Sequence, residues 1–258
     1  MREIDQESVL PIARKPLNPH LGTLETFADI DAVSETACND LVVLAREAIA
    51  ARGRFSISLA GGSTPKRLYS LMADRQDEFQ WNSIHLFWGD ERNVPLDHDD
   101  SNYRMVRTAM IDRVPIPSKN VHAVPIDPDK PGEAASKYTA ELREYFGGDT
   151  YDWDLVLLGM GDDAHTASLF PETSALNDSA SRMVENWVEK FSTYRLTLTA
   201  PAINSAHNIW FMIGGDAKQR ALSNVWGSEQ NTTEFPSQLI QPTSGTLRWM
   251  ITTDAIPS

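Results

Sequence analysis

The residues best equipped for chemistry stand together in GMGDDAHTASLFP, residues 159–171, where glycines give way to Asp162, Asp163 and His165 before the chain turns apolar again. Imidazole is the side chain whose ordinary pKa lies nearest neutral pH, so His165 can accept a proton from water. Asp163, two residues earlier, is close enough to fix the tautomer of that ring or to stabilise its protonated form. A loop histidine that merely bonds backbone is the alternative left open by a single histidine. Thr166 and Ser168 are nucleophiles by type, but neither stands in the G-x-S-x-G setting of a hydrolase elbow, so water is the better attacker.

The segment leaves the apolar run Leu155-Val156-Leu157-Leu158, which reads as a buried strand. Other strand patterns fall at 55–60, 85–88, 121–124, 194–199, 209–213 and 247–252. Helical spacing is found at 34–52, with Gly53 as its C-cap, at 66–73, after Ser101, at 132–146 and at 217–225. Strands alternating with helices of this length need crossover connections. They predict a single three-layer α/β/α domain over 22–258 with a mostly parallel, Rossmann-like central sheet. In such a sheet the ligand sits outside the carboxyl ends of the strands, so the residues just after each strand are the informative ones.

After the strand at 55–60 comes GGSTP, with Gly61, Gly62, Ser63 and Thr64. Glycines let backbone approach a ligand, Thr64 can cap the next helix, Pro65 suits its first turn, and the free N–H groups there attract an anion. An ordinary capped turn is the other reading. After 85–88 come Asp90, Glu91 and Arg92, which form either a solvated loop or a site in which the guanidinium binds phosphate or a developing oxyanion. The acidic run 97–100 is a lid or a solvated loop on equal terms. Lys218, near the start of a helix after a strand, reads alone as a solvated lysine.

Composition narrows the setting. With 41% hydrophobic and 23% charged residues the chain reads as globular. A net charge of −13 argues against sequence-independent nucleic-acid binding, while leaving room for a small phosphorylated ligand held by local cations. The one cysteine, Cys38, excludes an intrachain disulfide and suggests a reducing compartment, the cytoplasm. No apolar stretch is long enough to cross a membrane, and residues 1–21 read as a loosely ordered tail rather than a signal peptide. No metal is expected, since His20, His85, His98, His122 and His207 are scattered and His165 has no second histidine or cysteine at ligand spacing.

Taken in order, LAGGSTP at 59–65, FWGDERNVP at 87–95, SNYRM at 101–105, LLGMGDDAHTASLFP at 157–171, YRLTLTAPAIN at 194–204 and IGGDAKQRAL at 213–222 resemble the 6-phosphogluconolactonases, within the group that also holds the glucosamine-6-phosphate deaminases. The deaminase branch carries an Asn-Glu-Pro type ending after its histidine; here the histidine runs into Thr-Ala-Ser-Leu-Phe-Pro, as in the lactonases. The resemblance implies hydrolysis of 6-phospho-D-glucono-1,5-lactone in the oxidative pentose phosphate pathway, with a sugar-phosphate lactone as the sole partner, no cofactor, and a monomer or weak homo-oligomer. It implies His165 as the base oriented by Asp163; Arg92, the GGST segment, Arg195 and Lys218 as the groups that bind phosphate or stabilise the carbonyl oxygen; and Asp90 and Glu91 as further substrate-binding residues. One departure stands out. The family pattern places glycine before the histidine, where this chain has Ala164; if that position takes a positive φ, alanine costs about 1–2 kcal/mol. A deaminase and a non-catalytic sugar-phosphate sensor are the rival functions of the same fold.

Overall fold

A computed structural model describes residues 11–16 and 21–257. The chain begins with β1 (Ala13–Pro16), β2 (Thr23–Phe27), α1 (Ile30–Arg52), β3 (Phe55–Leu59) and α2 (Ser63–Asp74). It continues through β4 (Ile84–Trp88), β5 (Asp90–Arg92), α3 (Asn102–Ala109), α4 (Pro131–Phe146) and β6 (Leu155–Leu158). The last part holds β7 (Met183–Val188), β8 (Thr193–Leu198), α5 (Ala200–Asn204), β9 (Asn208–Ile213), α6 (Gln219–Trp226) and β10 (Thr246–Thr252).

Seven strands form the main sheet in the order β1-β2-β10-β9-β6-β3-β4, and every neighbouring pair except β1–β2 is parallel. Its centre, β9, β6 and β3, is buried almost without a break, as expected where helices cover both faces and leave no polar side. The arrangement is the expected three-layer α/β/α one. The Asp29 carboxylate caps α1 by accepting from the Ala32 N–H at 2.9 Å, which starts the helix a turn earlier than its apolar spacing suggests; Gly53, at φ 76°, ends it.

The second sheet is small, antiparallel and not foreseen, in the order β5-β8-β7. The strand at 194–199 therefore belongs outside the parallel sheet. Gly89 joins the two layers: its N–H donates to Leu59 at 3.0 Å, and its carbonyl accepts from Leu198 at 2.8 Å. Strand β7 escapes a search for apolar runs because only Met183, Asn186 and Val188 are buried, with no run of apolar neighbours, and one of the three is polar.

Two further expectations need correction. The run 121–124 is not a strand: Val121 forms a single bridge to Leu86, and Pro125, with no N–H to give a ladder, follows. The tail is not loose throughout, since Ala13–Pro16 pairs with β2 at the sheet edge; residues 1–10 and 17–20 lie outside the described residues. Among the described residues no helix is long and apolar enough to cross a membrane.

Candidate active site

The loop after β6 is a compact turn that folds back on itself. The Gly161 N–H donates to the His165 carbonyl at 2.9 Å, and Ala164 N–H to the Gly161 carbonyl at 3.2 Å. Ala164 does take a positive φ, 62°, and Ala167 follows at 48°. The strain at Ala164 is held by burial and by Ser237, whose N–H and hydroxyl both donate to the Ala164 carbonyl, at 3.0 and 2.8 Å. The Thr166 hydroxyl is spent on the Gly159 carbonyl at 2.9 Å.

This turn brings His165 and Asp163 together. Nδ1 of His165 lies 2.5 Å from Oδ1 of Asp163, and the His165 N–H reaches the same oxygen at 3.3 Å. The hydrogen-bond network assigns the proton to Nδ1, which leaves Nε2 as the acceptor. A methyl group on residue 161 would sit 2.1 Å from that Nδ1 and 2.6 Å from Oδ1, so only glycine leaves room for the pair. Phe170 stacks on the imidazole with ring centroids 4.0 Å apart, at 22°. Burial alone would raise the Asp163 pKa, but hydrogen bonds from His165 and Lys190 and the attraction of His165 outweigh it and hold the carboxyl well below its ordinary value.

His165 opens onto a cleft of about 290 Å³ built from four strand ends, with Asp163 behind it on the far side of the ring. Gly61 to Thr64 come from the end of β3, Asp90 and Arg92 follow β4, Gly159 to Gly161 with His165 follow β6, and Gly214 and Lys218 follow β9. The strand-end rule thus brings Gly61 to Thr64, Asp90, Arg92, His165 and Lys218 to one cleft, while Asp163, Glu91 and Arg195 do not line it. Gly61 is needed for close approach, since a Cβ there would lie 2.1 Å from Asn102 Oδ1. Asn102 in turn donates to the Asp90 carbonyl at 2.9 Å, tying the two loops together.

Some of the expected roles change. Helix α2 starts at Ser63 with Gly62 in the cap position and no side-chain cap, so Thr64 is not the cap and the first-turn N–H groups remain available at the cleft. Glu91 does not line the cleft. Fully buried, its carboxylate accepts the N–H groups of Arg92, Asn102 and Tyr103, each at 2.7 Å, and the Ser101 hydroxyl at 3.2 Å. It is a staple that fixes the start of α3. Ser168 is buried and donates to Asp90 at 2.7 Å, which makes it a support for that loop rather than a nucleophile.

The cations differ in how committed they are. Arg92 donates from Nη1 to the Asp100 carbonyl at 2.7 Å, so the acidic loop fastens to the cleft through its backbone. Arg195 lies within β8, opposite Arg92 in the register, with its guanidinium 5.3 Å from the centroid of Phe191. Burial and then the neighbouring Arg92 push the Arg195 pKa down. The Nε atoms of both arginines are buried without a partner, and Lys218 makes no hydrogen bond or ion pair among the described residues. A ligand anion is the natural complement of this set. No group of three or more His, Cys, Asp or Glu residues that could hold a metal ion occurs among the described residues.

Lys190 was not anticipated. It sits on the turn Glu189–Phe191 between β7 and β8, and its Nζ reaches Asp163 Oδ2 at 3.1 Å and Asp162 at 3.8 Å. Nothing in its spacing marks it, because the contact spans 27 residues and β7, a strand that the sequence does not advertise.

Comparison with known proteins agrees with this geometry. Residues 28–249 match the family of glucosamine-6-phosphate isomerases and 6-phosphogluconolactonases. A 6-phosphogluconolactonase of a Nostoc species is 43% identical over 89% of this chain and 95% of its own length. One from Mycobacterium leprae is 37% identical over 80% of this chain and 86% of its own. Among solved structures, a 6-phosphogluconolactonase from Thermotoga maritima superposes with a TM-score of 0.76 at 28% identity, covering 89% of this chain and 99% of that one. A monomeric glucosamine-6-phosphate deaminase at 17% identity shares the fold, with a TM-score of 0.76 over 90% of this chain and 98% of its own.

Proposed function

This chain belongs to the glucosamine-6-phosphate isomerase and 6-phosphogluconolactonase family, and from that premise we propose that it hydrolyses 6-phospho-D-glucono-1,5-lactone to 6-phospho-D-gluconate using water activated by His165. The observation that carries the reading is the His165–Asp163 pair, whose imidazole lines a cleft that also holds Arg92, Lys218 and the start of α2. Relatives at 43% and 37% identity are lactonases, and the Thr-Ala-Ser-Leu-Phe-Pro ending that marks that branch has structural work here: Thr166, Ser168 and Phe170 each brace the loop or the ring.

Nε2 of His165 takes a proton from water as the oxygen attacks the lactone carbonyl. The new C–O bond turns the carbonyl oxygen into an oxyanion, for which Arg92 is the suitable donor. As the intermediate collapses, the C1–ring oxygen bond breaks and the imidazolium returns its proton to the departing oxygen. Asp163 holds the ring in the tautomer this requires and stabilises the charge it carries between the two steps. Lys218, Arg195 and the first-turn N–H groups of α2 are the complement for the phosphate, which explains how a chain of net charge −13 holds an anion.

The test offers the protein two substrates side by side. Freshly generated 6-phosphogluconolactone should be hydrolysed well above its spontaneous rate, with no ammonia released from glucosamine 6-phosphate. Ammonia release without lactone hydrolysis would move the chain to the deaminase branch, and tight binding of 6-phosphogluconate without turnover of either would make it a sensor.

A further inference from the structure

We infer that Lys190 is a positioning residue for this site, which locks the Asp163 carboxylate from behind and sets a positive charge against the gain of a proton by His165. The inference rests on the lactonase reading for its effect on rate, and on geometry alone for its effect on the histidine.

Asp163 has two oxygens and both are occupied. Oδ1 faces His165, and Oδ2 receives Nζ of Lys190 at 3.1 Å. The carboxylate is therefore held at both ends and cannot rotate away from the imidazole. The tip of the β7–β8 turn also reaches the ring by a second route. Phe191 packs edge-on to Phe170 at 5.8 Å and 79°, and Phe170 stacks on His165 at 4.0 Å. Ser192 closes the turn in the left-handed region at φ 47°, with its N–H on the Glu189 carbonyl at 3.0 Å, so Lys190 and Phe191 leave a tight corner in fixed directions.

Charge gives the contact its consequence. A lone carboxylate beside an imidazole favours the imidazolium and would leave part of the enzyme protonated and unable to act as a base. A positive charge on the far oxygen opposes this by stabilising the carboxylate and repelling the imidazolium. Burial raises the Asp163 pKa, whereas its bonds to His165 and Lys190 lower it, with the net shift downward. The other charges around the ring are Asp162 on the same turn, Asp90, Arg92 and Lys218 across the cleft, Arg195 near Phe191, and Glu172 and Glu189 on the outer side of Asp163. Of the cations among them, Lys190 is the one bonded to the dyad. It is about half exposed, at 52%, so its influence is screened and its removal should move the histidine by about half a pH unit rather than several.

Lys190→Met, Lys190→Gln and Lys190→Arg test this, since a half-exposed turn residue can be changed without disturbing the core. The titration of His165 is followed by NMR, its signal identified by its loss in His165→Asn, alongside kcat/KM for the lactone as a function of pH. In Lys190→Met the midpoint should rise by about half a unit and kcat should fall at pH values below it, with KM little changed. Lys190→Gln, which keeps a donor but loses the charge, should show the same rise, and Lys190→Arg should restore the wild-type midpoint. An unchanged midpoint in Lys190→Met would overturn the inference, and so would a fall. The NMR arm stands even if the lactone proves not to be the substrate, because it reads the histidine directly.

Discussion

Two histidine–carboxylate pairs of nearly the same length occur in this molecule, and only one is placed to do chemistry. Nδ1 of His165 is 2.5 Å from Asp163, and Nδ1 of His122 is 2.6 Å from Glu141. The difference lies at the other nitrogen. That of His122 is spent on His85 at 3.1 Å, and its ring is stacked on Phe87 at 4.2 Å and flanked by Tyr145. That of His165 has no partner among the described residues, on a ring that lines a cleft with Arg92 and Lys218. A short bond to a carboxylate is thus common to a structural histidine and to the one proposed as the base; an unspent acceptor facing a shaped cavity is what separates them.

The comparison can be broken most severely at Asp163. Asp163→Asn removes the charge and allows the wrong tautomer, so kcat should fall by about 10²-fold or more, whereas Glu141→Gln should leave it within about twofold. Lactone hydrolysis measured on both variants decides this; equal losses would mean the two pairs do not differ in kind.

A second contrast concerns acid. Burial, then His122, Arg54 and Lys119, lowers the His85 pKa from 6.5 to about 4, so the folded protein binds fewer protons than the unfolded chain between those values. Stability at this array should fall as pH drops from about 6.5 towards 4. Asp163 behaves differently, since its depressed pKa keeps its contribution intact down to the ordinary carboxylate range near 3.8 and loses it only below. His85→Gln should therefore flatten the dependence of Tm on pH between 6.5 and 4; an unchanged slope would assign the acid sensitivity elsewhere.

The smallest effect sharpens the account of the catalytic loop. Ala164→Gly relieves a positive φ and should stabilise the protein by about 1 kcal/mol, or roughly 2–4 °C in Tm, with activity kept. A lower Tm would show that the methyl group packs better than the strain costs.

What the sequence displays, and what it hides, follows from the reach of each signal. Helix spacing in α1, the Ser101 cap and the apolar runs of β3, β6 and β9 are local, and they place the strand ends where the cleft forms. Ala164 was legible as a departure from the family pattern, and its backbone is in the region anticipated. Glu91 was expected among the substrate-binding residues because it follows a strand beside Asp90 and Arg92, and the N–H groups that saturate its carboxylate away from the cleft are seen only in space. Lys190 and the pairing of β8 with β5 and β7 were invisible for a similar reason, since the sequence marks the strand at 194–199 but not its antiparallel partners, which have little apolar pattern of their own.

The central claim is that His165, and not merely a histidine beside a carboxylate, activates the water. Lactone hydrolysis by His165→Asn and His122→Asn, measured together against wild type with the spontaneous rate subtracted, tests it most directly. The account predicts a loss of about 10²–10⁴-fold in kcat for His165→Asn, with 6-phosphogluconate still bound, and near-normal turnover for His122→Asn. Near-normal turnover by His165→Asn would contradict it.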